Sequence, residues 1–172
     1  MRTGRGLALA GVLGLAAAGC GNGGGGAAAA GVLSATFANF GGATTSGVAI
    51  SSPYPSCTQD AAGALTCDAA EFADGAGRSV SVSFGGPVVA GMDYRIGDDA
   101  NVFFRDPTTF GTAMGERQWQ AIAGTGTVHV VAWTPTSHVG FSYAATMQPL
   151  GSGAEGTFDL TGDANINAIS AE

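Results

Sequence analysis

The sequence predicts an all-β domain, an antiparallel β-sandwich of about eight to ten short strands. Three observations point that way. Val80, Val82 and Phe84 alternate with Ser79, Ser81 and Ser83, the period-two pattern of a strand with one face in a core and one in water. The stretch from Gly126 to Met147 can fold back on itself as a hairpin that gathers its apolar residues on one face. Gly, Pro, Asp and Asn interrupt the remaining apolar stretches at close spacing, and no stretch supports a helix longer than about two turns.

The chain opens with Arg2 and Arg5, then an apolar run from Leu7 to Ala18, then the small residues Ala17, Ala18 and Gly19 before Cys20. A positive head, a short apolar middle and a small-residue exit make a secretory signal peptide over residues 1–19, too short to span a bilayer as a permanent helix. Residues 20–31 follow as Cys20 and a Gly/Ala tether, GNGGGGAAAAG, with little to bury and a high cost of ordering. The domain is expected over residues 32–172.

The segment LAAAGCG, with a small residue directly before Cys20, resembles the lipobox of bacterial lipoproteins. That resemblance implies a diacylglyceryl group on the Cys20 sulfur, cleavage before Cys20 and acylation of the new N-terminus, so the membrane is a partner through these acyl chains. Two or three such chains anchor a domain firmly, at about 0.8 kcal/mol per buried methylene. Gly21 stands where many inner-membrane lipoproteins carry Asp, which implies the outer membrane in a two-membrane bacterium. In a Gram-positive source it implies the outer face of the plasma membrane. The tether, the late GTGTVHVVAW segment and the GTFDLTG strand give the chain the outline of small bacterial envelope lipoproteins, a likeness that carries over no functional residue.

Without the leader, four Arg and no Lys stand against thirteen acidic residues, a net charge near −9. A chain so acidic lacks the cations that neutralise phosphates, which argues against nucleic acid as a partner. The partner is expected to be an envelope protein or a glycan. With Cys20 set aside, Cys57 and Cys67 form an even pair in an exported chain, and a disulfide is the expected state. The chain between them should reverse around Ala61, Ala62 and Gly63.

Taken in order, Leu33, Ala35 and Phe37 share one strand face, and Val48 and Ile50 another. DAAEFAD, from Asp68 to Asp74, is the best helical candidate. Tyr94 and Ile96 are expected to pair with Val102 and Phe104 around Gly97 to Ala100. In the late hairpin, a four-residue loop Thr134 to Ser137 places Trp133 opposite His138, Val130 opposite Phe141 and Val128 opposite Tyr143, and Phe158 and Leu160 add a third strand.

Few residues invite chemistry. The best ligand set is Asp98, Asp99 and Asn101 in the loop GDDAN, with Asp93 and Asp106 nearby, because calcium takes clustered oxygen donors. The same residues are what a tight turn requires, and Arg95 and Arg105 compete for the carboxylates. Asp159, Asp163 and Asn165 form a thinner cluster. His129 and His138 fall about 13 Å apart along the hairpin and cannot share an ion. No GxSxG motif occurs, and Glu71, Glu116 and Glu155 are scattered. Trp119, Trp133, Tyr54, Tyr94 and Tyr143 are candidates to line a carbohydrate or peptide groove, although such residues more often pack in or against a core and Tyr143 already belongs to the apolar hairpin face. The expected function is therefore a non-enzymatic envelope binding or structural module. A calcium-dependent binding module and a small secreted hydrolase, the latter needing a pocket that joins a carboxylate pair or Ser and His, are the alternatives.

Overall fold

A computed structural model describes residues 31–38, 50–72, 77–107, 117–151, 154 and 156–172. Cys20, Val48, Glu116 and Glu155 lie outside these residues. The described chain is all-β, with twelve strands: β1 (Gly31–Ala38), β2 (Ile50–Ser52), β3 (Ser56–Gln59), β4 (Ala64–Ala70), β5 (Ser79–Pro87), β6 (Asp93–Arg95), β7 (Ala100–Asp106), β8 (Arg117–Ala121), β9 (Thr127–Thr134), β10 (His138–Leu150), β11 (Phe158–Ile166) and β12 (Ile169–Ala171).

All twelve belong to one hydrogen-bonded sheet, in the order β12-β3-β4-β5-β7-β8-β10-β11-β1-β2, with β9 on β10 and β6 on β9. Every strand pair is antiparallel except β12 with β3. The length of β10 produces the fork: residues 138–144 pair with β9, residues 147–150 with β8, and the opposite edge with β11.

The sheet curls until its inner face packs on itself. Phe37 on β1 and Phe104 on β7, with β8, β10 and β11 between them in the order, have ring centroids 4.6 Å apart. Phe84 on β5 meets Phe141 on β10 at 5.7 Å. In place of the two antiparallel sheets of the expected sandwich, the described strands form one continuous mixed sheet. Its two ends also approach each other, since only Pro53, Tyr54 and Pro55 separate β2 from β3 in the chain. The buried Ser52 hydroxyl bridges these ends, donating to the Ala70 carbonyl at 2.5 Å and accepting from the Tyr54 amide at 3.1 Å.

Several expectations are met residue by residue. Leu33, Ala35, Phe37, Ile50, Val80, Val82 and Phe84 are all buried. In the late hairpin, Val130 pairs with Phe141 and Val128 with Tyr143 as expected, and β11 adds the third strand. The hairpin end differs. Thr134 pairs with His138 and Trp133 with Val139, so the loop is Pro135 to Ser137, with Thr136 at a φ of 67°. A bulge at Val131, between the pairs Ala132–Gly140 and Val130–Phe141, takes up the extra residue and restores the inner-face register.

Two local expectations are corrected. Asp68, Ala69 and Ala70 are strand rather than helix, because Leu65, Cys67 and Ala69 continue a period-two inward face along β4. Tyr94 does not pair with Val102 or Phe104. It pairs with Val128 on β9, while β7 lies between β5 and β8, and only an isolated bridge joins Ile96 to Ala100.

Cys57 and Cys67 face each other across β3 and β4 as a disulfide, with Cα atoms 4.1 Å apart. The Cys57 amide donates to the Ala168 carbonyl on its other side. That makes the pair a non-hydrogen-bonded position of the β3–β4 ladder, where side chains stand closest. The loop between the strands turns through Gly63 at a φ of 87°, and the Asp60 carboxylate accepts from the Ala62 and Ala64 amides, both at 2.9 Å. Closing a loop this short stabilises the fold by about 2 to 3 kcal/mol in the chain-entropy account. Reduction of the protein is expected to lower its urea midpoint by that equivalent, and an unchanged midpoint would show that the bond contributes nothing.

Candidate functional site

Outward-facing residues of five neighbouring strands line up in rows across the sheet. One row runs Ala70, Ser79, Arg105, Gln118 and Leu150, and its neighbour runs Asp68, Ser81, Phe103, Gln120 and Gln148. Period-two alternation explains their common direction: Val80, Phe104, Trp119 and Met147, one residue away along each strand, are buried in the core.

Two concavities lie along these rows and share Ser79. One, of about 290 Å³, is lined by Ser79, Ser81, Phe103, Arg105, Gln118 and Leu150 over Phe104 and Trp119. The other, of about 300 Å³, is lined by Tyr54, Ser56, Asp68, Ala70, Phe72 and Ser79. Together they form a trough across the strands. Tyr54 and Phe72 are 54% and 59% exposed at its β3–β4 end.

Phe72 is held there by its neighbours. The Glu71 carboxylate accepts from the Arg78 amide at 2.9 Å and from Arg78 Nε at 2.8 Å, and also pairs with Arg78 Nη2. These contacts with Arg78 keep the Glu71 pKa below its ordinary value. Gly77, at a φ of 80°, packs so closely that an added Cβ would lie 2.9 Å from the Phe72 ring.

The other candidates are placed elsewhere. Asp98 and Asp99 sit in the turn before β7, where their amides donate to the Arg95 carbonyl at 3.3 and 3.0 Å. Asp99 Oδ2 accepts from the Arg95 amide at 3.4 Å, and Asn101 Oδ1 from the Val102 amide at 2.9 Å. Asp98, Asp99 and Asn101 border a shallow hollow of about 230 Å³. Among the described residues, no three His, Cys, Asp or Glu side chains converge as a metal site. Asp106 is buried and pairs with Arg117 at 2.8 Å. Asp159 accepts from the Thr146 hydroxyl at 2.9 Å on the outer face of β11.

His129 Nδ1 donates to Asp93 Oδ1 at 2.6 Å, a contact that local pattern does not announce, since β6 and β9 are far apart in the chain. This pair borders none of the concavities described above. His138 is opposite Thr134, with Nδ1 3.4 Å from the Ile166 carbonyl, and the two histidines do not converge.

Of the aromatic candidates, Trp119 and Tyr143 are buried. Tyr94 packs on Phe84, its hydroxyl accepting from the Val89 amide at 2.7 Å and donating to the Pro87 carbonyl at 3.1 Å. Trp133 is partly buried against the core, so of the five only Tyr54 reaches the trough with an exposed ring. Phe72 and Phe103 are trough residues that sequence reasoning does not single out; the outward position of Phe103 in the alternation of β7 is the available signal.

No family model matches the chain, and neither a curated protein nor a solved structure matches it.

Proposed function

We propose that the chain is a lipid-anchored cell-envelope protein whose β domain is a non-enzymatic binding module. The observation that carries this reading is the buried pairing of Cys57 with Cys67. A disulfide suits the oxidising compartment to which the leader points, and it leaves Cys20 as the remaining cysteine of the chain. The outer membrane is the proposed location in a two-membrane bacterium.

The test is the intact mass of the protein purified from the membranes of its own host, beside a Cys20→Ala variant. The expected result is a chain beginning at Cys20 with added acyl mass, and a variant that lacks this mass and leaves the membrane fraction. An unacylated wild-type chain released to the medium would replace this reading with a secreted binding module.

A further inference from the structure

The trough is long and mixed in character, and its described lining residues carry one charge of each sign, Asp68 and Arg105. We propose that it binds one chain of a neutral linear glycan, laid across the strands from β4 to β10; this rests on reading the domain as an envelope binding module. Four inter-strand steps of about 4.8 Å make the path about 19 Å long, a length suited to several linked rings rather than to one small molecule.

The chemistry of the walls selects the ligand. Tyr54 and Phe72 present exposed rings at one end and Phe103 a partly buried ring further along. Aromatic faces suit the C–H faces of sugar rings. The Ser79 and Ser81 hydroxyls and the Gln118 amide both donate and accept hydrogen bonds, as sugar hydroxyls do. Asp68 and Arg105 contribute one charge of each sign, and the acidity of the mature chain disfavours a polyanion.

An extended peptide is the less fitting occupant. Peptides that dock on sheets commonly add as a strand at an edge, where backbone groups are unpaired. The trough instead crosses a sheet face, where the backbones of β5 and β7 are already paired on both sides.

The test titrates the detergent-solubilised mature protein with β-1,4-linked hexamers of N-acetylglucosamine and of glucose, read by calorimetry. Saturable binding of at least one hexamer is expected, little changed by added salt and weakened at least about tenfold by combined Tyr54→Ala and Phe72→Ala. Both side chains are exposed, so the double variant should keep the wild-type melting temperature. Absence of binding by both hexamers, or binding that survives the double substitution, overturns the proposal, as does binding of an extended peptide in the trough instead. Cys20→Ala is expected to bind as the wild type does, which separates failure of the trough from failure of the anchor.

Discussion

Replacing Phe104 with Ala is expected to destabilise the domain by about 3 to 5 kcal/mol. The ring is buried and lies 4.6 Å from Phe37, 5.5 Å from Trp119 and 5.8 Å from Phe158. Those partners come from β1, β8 and β11, so the ring joins parts of the sheet that no ladder connects directly to β7, apart from β8. Relaxation after the loss is limited because Phe37 and Trp119 each pack on Phe158 as well. A cavity therefore persists and adds to the lost transfer energy. Against a total stability of about 5 to 15 kcal/mol, the loss approaches the whole margin of a weak domain. Urea unfolding is the measurement, with a lower midpoint and unchanged slope expected. Phe104→Leu should lose less, and a loss below about 1 kcal/mol for Phe104→Ala would show that the inner face does not close on this ring.

The parts of the fold legible in the sequence are those written in local alternation. Ser79 to Phe84 and Leu33 to Phe37 declare their inner faces outright, and the Val128–Tyr143 and Val130–Phe141 pairs follow from matching two such patterns. The expected hairpin loop is one residue too long because a bulge at Val131 lets a three-residue loop serve the same register. At Asp68 to Ala70, the helix-favouring Ala and Glu nearby compete with the period-two pattern, and pairing on both sides of β4 decides for strand.

The order of strands is the part that local pattern does not carry. Tyr94 and Val102 look like hairpin partners because they flank a turn, yet β6 finds β9 and β7 inserts between β5 and β8. The trough depends on that order. Asp68, Phe103 and Gln120 become neighbours along one row only when β4, β5, β7 and β8 lie side by side. The outward direction of Phe103 is readable from its strand; its adjacency to the others is not.

Replacing Gly162 with Ala tests a close approach on which three strands rely. Gly162 sits on β11 opposite Tyr143 of β10, and the Tyr143 ring crosses it to donate its hydroxyl to the Ser34 carbonyl of β1 at 2.8 Å. Burial raises the Tyr143 pKa above its ordinary value, so the hydroxyl stays protonated and keeps donating. A Cβ on Gly162 would overlap both the Tyr143 hydroxyl and the Ser34 carbonyl oxygen. Because the second obstacle is backbone, rotating the ring away does not relieve the clash, and β1 must shift from β11. A loss of about 1 to 3 kcal/mol is expected, the usual range for overpacking, with the lost hydrogen bond moving it toward the upper end. Gly86→Ala is the control, since nothing lies within 4 Å of its added Cβ. Tyr143→Phe should lose only about 1 kcal/mol, the net worth of one hydrogen bond. If Gly162→Ala unfolds at the same urea concentration as Gly86→Ala, the Tyr143 ring does not lie over Gly162 in solution.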